Sequence, residues 1–132
     1  MATIKFYTSL EQSKKLAGIL PPDSADMWYQ HTGISIKDGS ERPIYFPMVI
    51  RDCESDEDIP CWSLSALLNI LPKIYYPVRD HPTYLTLSKP KDKWLVLYLD
   101  TTGMQSGEQT FADDPVDACY KMILKLHKMK RL

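Results

Sequence analysis

The chain has 132 residues, 44% of them hydrophobic and 25% charged, with a formal net charge of -1. That length suits a single domain with one core, and the near-zero charge excludes a protein whose whole surface is a nucleic-acid footprint. Charge is unevenly placed, with five carboxylates in residues 52–58 and five Lys or Arg in residues 121–131.

In chain order, Thr3 to Tyr7 reads as a short first strand. Thr8-Ser9-Leu10-Glu11 has the form of a capping box, with Thr8 as N-cap and Glu11 three residues on. The helix it opens should stop before Pro21-Pro22, burying Leu10, Leu16, Ala17, Ile19 and Leu20. Met27 to His31 reads as a strand, and Ile34 to Ile36 as another or as its continuation past Gly33. Asp38-Gly39 signals a turn. Ile44 to Ile50 is the next strand, with Ile44, Phe46, Met48 and Ile50 on one face, and Pro47 places it at an edge. Asp52 to Asp58 reads as an acidic loop.

Ser63 caps a second helix whose Leu64, Leu67, Leu68 and Leu71 fall at i, i+3, i+4 and i+7, on one face. Tyr75-Tyr76-Pro77 leads by a loop to the chain's central feature, a hairpin of Thr83–Leu87 and Trp94–Leu99 around Lys89-Pro90-Lys91-Asp92. The second hairpin strand is apolar throughout, so it belongs inside a sheet. An even loop sets Leu85 and Leu87 on one face with Trp94 and Val96; an odd loop sets them with Leu95 and Leu97. Thr101 to Thr110 reads as a polar loop. Asp113 or Asp114 caps the last helix, Pro115 opens it, and Val116, Cys119, Tyr120, Ile123 and Leu126 form its buried stripe.

Each chemical reading competes with a simpler one. Asp52, Glu54 and Asp56 alternate like calcium ligands, but Glu57 stands where the loop needs Gly and Ser63 where it needs Glu. Cys53 and Cys61 with His31 or His81 fit no zinc spacing. Cys61 ahead of a helix resembles an activated thiol, yet neither His31 nor His81 has the context of a base. Gly103 and Gly107 lack the lysine of a phosphate loop. No metal, cofactor or catalytic set is expected. Three cysteines without paired spacing suit a reducing compartment. The N-terminus lacks the basic and apolar regions of a signal peptide, and no apolar run nears the roughly 20 residues of a membrane span. A cytoplasmic protein without a membrane partner is expected.

Three segments carry a resemblance. The opening Thr8-Ser9-Leu10-Glu11-Gln12-Ser13-Lys14-Lys15-Leu16, the segment Cys61-Trp62-Ser63 running through Leu67-Leu68 to Leu71-Pro72, and the close through Asp113, Asp117, Ala118, Met122, Ile123 and Leu126 together cover about a third of the chain. In these features the chain resembles a family of small proteins of gut Bacteroidetes and their phages and mobile elements. The resemblance implies bacterial or phage origin and a shared fold; no activity is established for such proteins, so it transfers no functional residues.

The expectation is one α+β domain over residues 1–132, a mostly antiparallel sheet of about 4–6 strands with three helices packed on it. The C-terminal helix should lie across the face of the Leu85–Leu99 hairpin. The first functional reading is a non-enzymatic protein-interaction module, an accessory of a bacterial or prophage protein. Its candidate partner-binding residues are Trp28, Tyr75, Tyr76, Lys121, Lys125, Lys128 and Arg131. The alternative is a nucleic-acid-binding accessory, which needs the basic C-terminal helix on an open face beside exposed aromatics. An enzyme would require His31 or His81 to converge on Cys61 or a carboxylate.

Overall fold

The computed structural model describes residues 5–37, 39–48, 56–103 and 105–132. The elements run α1 (Leu10–Ala17), β1 (Met27–Lys37), β2 (Ser40–Met48), β3 (Ile59–Cys61), α2 (Leu64–Ile70), β4 (Ile74–Val78), β5 (His81–Ser88), β6 (Trp94–Leu99), β7 (Gln105–Ala112) and α3 (Pro115–Lys128), with a 3₁₀ turn at Pro22–Ser24. The class is α+β and every strand pairing is antiparallel. The strands form two sheets where one was expected, ordered β2-β1-β3 and β4-β5-β6-β7. The chain correspondingly divides into two compact units, residues 7–66 and residues 67–132 with the N-terminal residues up to Phe6. Thr3, Ile4, Asp38, Ile50 and the residues Asp52, Cys53 and Glu54 weighed above against calcium and zinc patterns lie outside the described residues.

In the first unit the N-cap is Ser9 rather than Thr8. Its hydroxyl accepts from the Gln12 N–H at 3.2 Å while the Gln12 side chain accepts from the Ser9 N–H at 3.0 Å, so the capping box sits one residue later than expected. Thr8 is fully buried instead. Its hydroxyl accepts from the Trp62 N–H at 3.1 Å and lies 2.7 Å from the Ser13 hydroxyl. Its own N–H donates to the Trp62 carbonyl at 2.9 Å, and its carbonyl accepts from the Tyr29 hydroxyl at 2.8 Å. A buried polar group needs such partners, and this knot takes up the Thr8 hydroxyl that was expected to cap α1. Ser13 and Leu16 are the buried residues of α1, and Ala17 is exposed, contrary to the expected stripe.

β1 is one continuous strand that absorbs Thr32 as a bulge between the His31–Tyr45 and Gly33–Ile44 pairs. Gly39 takes φ +78° in the turn to β2, a left-handed conformation that suits glycine. β2 is an edge strand carrying Pro43 and Pro47. Its inward residue is Tyr45, which packs with Tyr7, Leu10 and Ile59 against the core of Met27, Tyr29 and Cys61. Ile44 and Phe46, which share the other face, are exposed. β3, not foreseen, is a short edge strand with Pro60 at its centre. The expected first strand reduces, among the described residues, to a single bridge between Tyr7 and Ser63.

Ser63 does open α2: its hydroxyl accepts from the Ala66 N–H at 3.2 Å, and the Asp26 carboxylate holds the Ser63 N–H at 2.9 Å and its hydroxyl. Leu67 and Leu71 are buried as the spacing requires.

In the second unit the hairpin is β5–β6, and Leu87 faces Val96 while Leu85 faces Tyr98. The even-loop arrangement is the one formed. β6 is internal, between β5 and β7. Tyr75-Tyr76-Pro77 and most of Thr101–Thr110 are strands rather than loops, forming the two edges β4 and β7. Helix α3 starts at Asp114, whose carboxylate accepts from the Asp117 N–H at 2.8 Å, with Pro115 at its first turn. It lies on β6 and β7, burying Val116, Cys119, Met122, Ile123 and Leu126 completely. The expected contact of this helix with the hairpin is thus made through β6. Among the described residues no helix is long and apolar enough to cross a membrane.

Candidate binding cleft

Antiparallel pairing sorts the second sheet into two faces. One carries Val96, Tyr98 and Thr110 toward α3, where the Thr110 hydroxyl donates to the Ala118 carbonyl at 2.7 Å. The other carries Tyr84, Leu95, Leu97, Leu99 and Phe111. Leu95 and Phe111 stand directly opposite each other across β6 and β7. With the turn residues Pro90, Lys91, Asp92 and Lys93 they line a cleft of about 430 Å³, within the range of small-ligand pockets, roughly 300–1,000 Å³. Phe111 is 56% exposed, so its ring stands open at the cleft.

The cleft has a basic rim. The turn reads Lys89-Pro90-Lys91-Asp92-Lys93. Lys93 pairs with Asp113, whereas Lys91 makes no ion pair with a described residue. Lys121 of α3 places its ammonium 6.0 Å from the Phe111 ring centre and donates to the Phe111 carbonyl at 3.0 Å. One helical turn on, Lys125 donates to the Gln109 carbonyl at 3.4 Å and pairs with Glu108 at 2.8 Å. Phe111 and Gln109 are alternate residues, so their carbonyls lie on the same edge of β7.

The sequence-nominated residues separate. Trp28 is half-buried on the first sheet, on the same strand face as Ile44 and Phe46. Tyr75 is buried, not exposed as expected, because in strand β4 it faces Tyr98, whose ring lies 5.3 Å away, and the Arg131 guanidinium covers it at 5.9 Å. Tyr76, its neighbour on the opposite face, is exposed. Lys128 is exposed. Of the seven, only Lys121 adjoins the cleft. Pro90, Lys91, Leu95 and Phe111 escaped the sequence reading because β7 was not recognised as a strand. The usable signal was Phe111 between Thr110 and Ala112, an apolar group on the face opposite two small residues.

The two described thiols are poor nucleophiles. Cys61 is fully buried, and burial raises its pKa; the Thr8 hydroxyl beside it acts in the other direction. Its thiol donates to the Thr8 carbonyl at 3.6 Å. Cys119 is fully buried, and burial followed by the Asp114 charge pushes its pKa up to about 12. His31 Nδ1 lies 3.0 Å from Glu57 and its ring stands edge-on to Tyr45. His81 is exposed at the start of β5. Among the described residues no three His, Cys, Asp or Glu side chains gather as metal ligands would.

No protein-family model, curated protein or solved structure matches the chain.

Proposed function

We propose that the chain is a non-enzymatic protein-interaction module, a single-domain cytoplasmic accessory protein of a bacterium or of a prophage or mobile element. The origin rests on the three segments that resemble proteins of gut Bacteroidetes and their phages. The observation that carries the interaction reading is Phe111, a large ring left open on the floor of a lysine-rimmed cleft. Burial and raised pKa at Cys61 and Cys119 support a role other than covalent catalysis for these two thiols. Affinity capture from host lysate with wild-type and Phe111→Asp baits tests this. A protein enriched by the wild type and lost from an equally stable variant is expected; identical captures would count against the cleft as the interaction site.

A second reading has one observation in its favour, the Lys121 ammonium beside exposed Phe111, a pairing that also suits a stacked base. Fluorescence anisotropy with single- and double-stranded DNA and RNA, at low and physiological salt, decides it. Tight binding that weakens steeply with salt would replace the protein-interaction reading; no binding at low salt would remove the alternative.

A further inference from the structure

We infer that the cleft between the β5–β6 turn and Phe111 binds an acidic peptide segment, seating an apolar or aromatic side chain on Leu95 and Phe111 and its carboxylates on Lys91 and Lys121. This deepens the interaction reading and rests on it.

Charge complementarity selects the occupant. The chain as a whole is slightly acidic, yet the cleft wall carries Lys91 and Lys93 with Asp92, and Lys121 adjoins it beside Phe111; Lys89 turns away, its ammonium over the Trp94 ring on the other face of the sheet. Lys93 is already paired with Asp113. Lys91, with no ion pair to a described residue, and Lys121, whose fixed partner is a neutral carbonyl, are the cations open to a new anion. The floor is apolar and flat, made from a strand residue on each side of one ladder pair, which suits a single inserted ring or branched chain. An anchor flanked by one or two carboxylates satisfies both features at once.

A nucleic acid fits less well. A phosphate track needs consecutive unpaired cations, and here Asp92 interrupts the turn, Lys93 is neutralised by Asp113 and Lys125 by Glu108. Stacking would rest on one ring, Phe111. Mixed charge around one anchor pocket is the pattern of peptide recognition.

The test is an NMR and anisotropy titration of the full chain with three labelled probes. One is a short peptide of Asp and Glu around a central Phe, the second the same peptide with Lys for every acid, the third oligo(dT). The acidic peptide should bind and shift the amides of residues 91–95 and 109–112. Lys91→Glu should weaken it by about tenfold, or about 1.4 kcal/mol, and Phe111→Ala should abolish it with the fold intact by circular dichroism. The inference is overturned if the basic peptide binds equally, if shifts fall elsewhere, or if oligo(dT) binds the cleft more tightly. Failure of the acidic peptide, with partner capture still lost in Phe111→Asp, overturns the acidic occupant and leaves the interaction site; retention of capture in Phe111→Asp overturns both.

Discussion

The two units are built on different principles. Residues 7–66 close around a polar knot: Thr8, fully buried, bonds Trp62, Ser13 and Tyr29 through its N–H, its carbonyl and its hydroxyl. The unit from residue 67 onward closes by apolar burial, with six α3 side chains wholly removed from water, as are Val96 and Tyr98 of β6. The contrast teaches where each unit is vulnerable. A polar knot fails when one donor loses its acceptor; an apolar layer fails in proportion to the volume removed.

Each core carries its own reporter, since Cys61 lies in the first and Cys119 in the second, both fully buried. The largest effect is expected from Leu126→Ala, about 2–5 kcal/mol by urea unfolding, with iodoacetamide labelling accelerated more at Cys119 than at Cys61. Thr8→Val keeps the shape but leaves the Trp62 N–H without its acceptor, costing about 1–3 kcal/mol, and should accelerate Cys61 more than Cys119. Equal acceleration of both thiols in both variants would dissolve the distinction between the units.

A smaller effect concerns the start of α3. Burial raises the Asp114 carboxyl above its ordinary 3.8, with the Asp117 N–H and Lys5 opposing. The folded state therefore holds that proton more tightly than the unfolded chain. The contribution of this group is fully present below pH 3.8 and is lost as pH rises through the raised folded value. Asp114→Asn keeps the capping oxygen without the titration, so wild type should lose ground to this variant as pH climbs through that window. Asp114→Ala, which removes the cap, should cost about 1 kcal/mol. Urea midpoints across pH check both.

The parts of the fold legible in sequence were those whose signals are local. Helix α3 announced itself by Asp114, Pro115 and an apolar stripe of which Val116, Cys119, Ile123 and Leu126 are buried while Tyr120 is half-buried and Met122 joins them, and the β5–β6 hairpin by two β-rich runs. β7 was hidden because Gln105 to Gln109 carries no alternation: an edge strand with one face partly open tolerates polar residues on both sides. The inward face of β2 is set by pairing rather than by local pattern: Tyr45 lies opposite His31 and Pro47 opposite buried Tyr29, so the more apolar Ile44 and Phe46 face the other way. Of the candidate site, only Lys121 was visible; its meaning depends on Phe111, ten residues away and placed by a strand the pattern did not show.

The smallest expected effect on stability has the largest visible outcome. Three edge strands carry an internal proline, β2 at Pro43 and Pro47, β3 at Pro60 and β4 at Pro77, while proline-free β7 has the Lys121 and Lys125 ammoniums on two of its carbonyls. Replacing both lysines with Met should change stability by less than about 0.5 kcal/mol yet produce self-association, read by light scattering against concentration. A monodisperse double variant would show that the lysines do not guard this edge.

Guarded borders also govern discrimination. Strand addition is nearly indifferent to sequence, because any extended backbone offers the same N–H and C=O groups. With that route obstructed at each of the four described strand borders, whatever engages this protein has to be chosen by its side chains. A few surface substitutions around Phe111 would then suffice to exchange one companion for another while both sheets stay as they are.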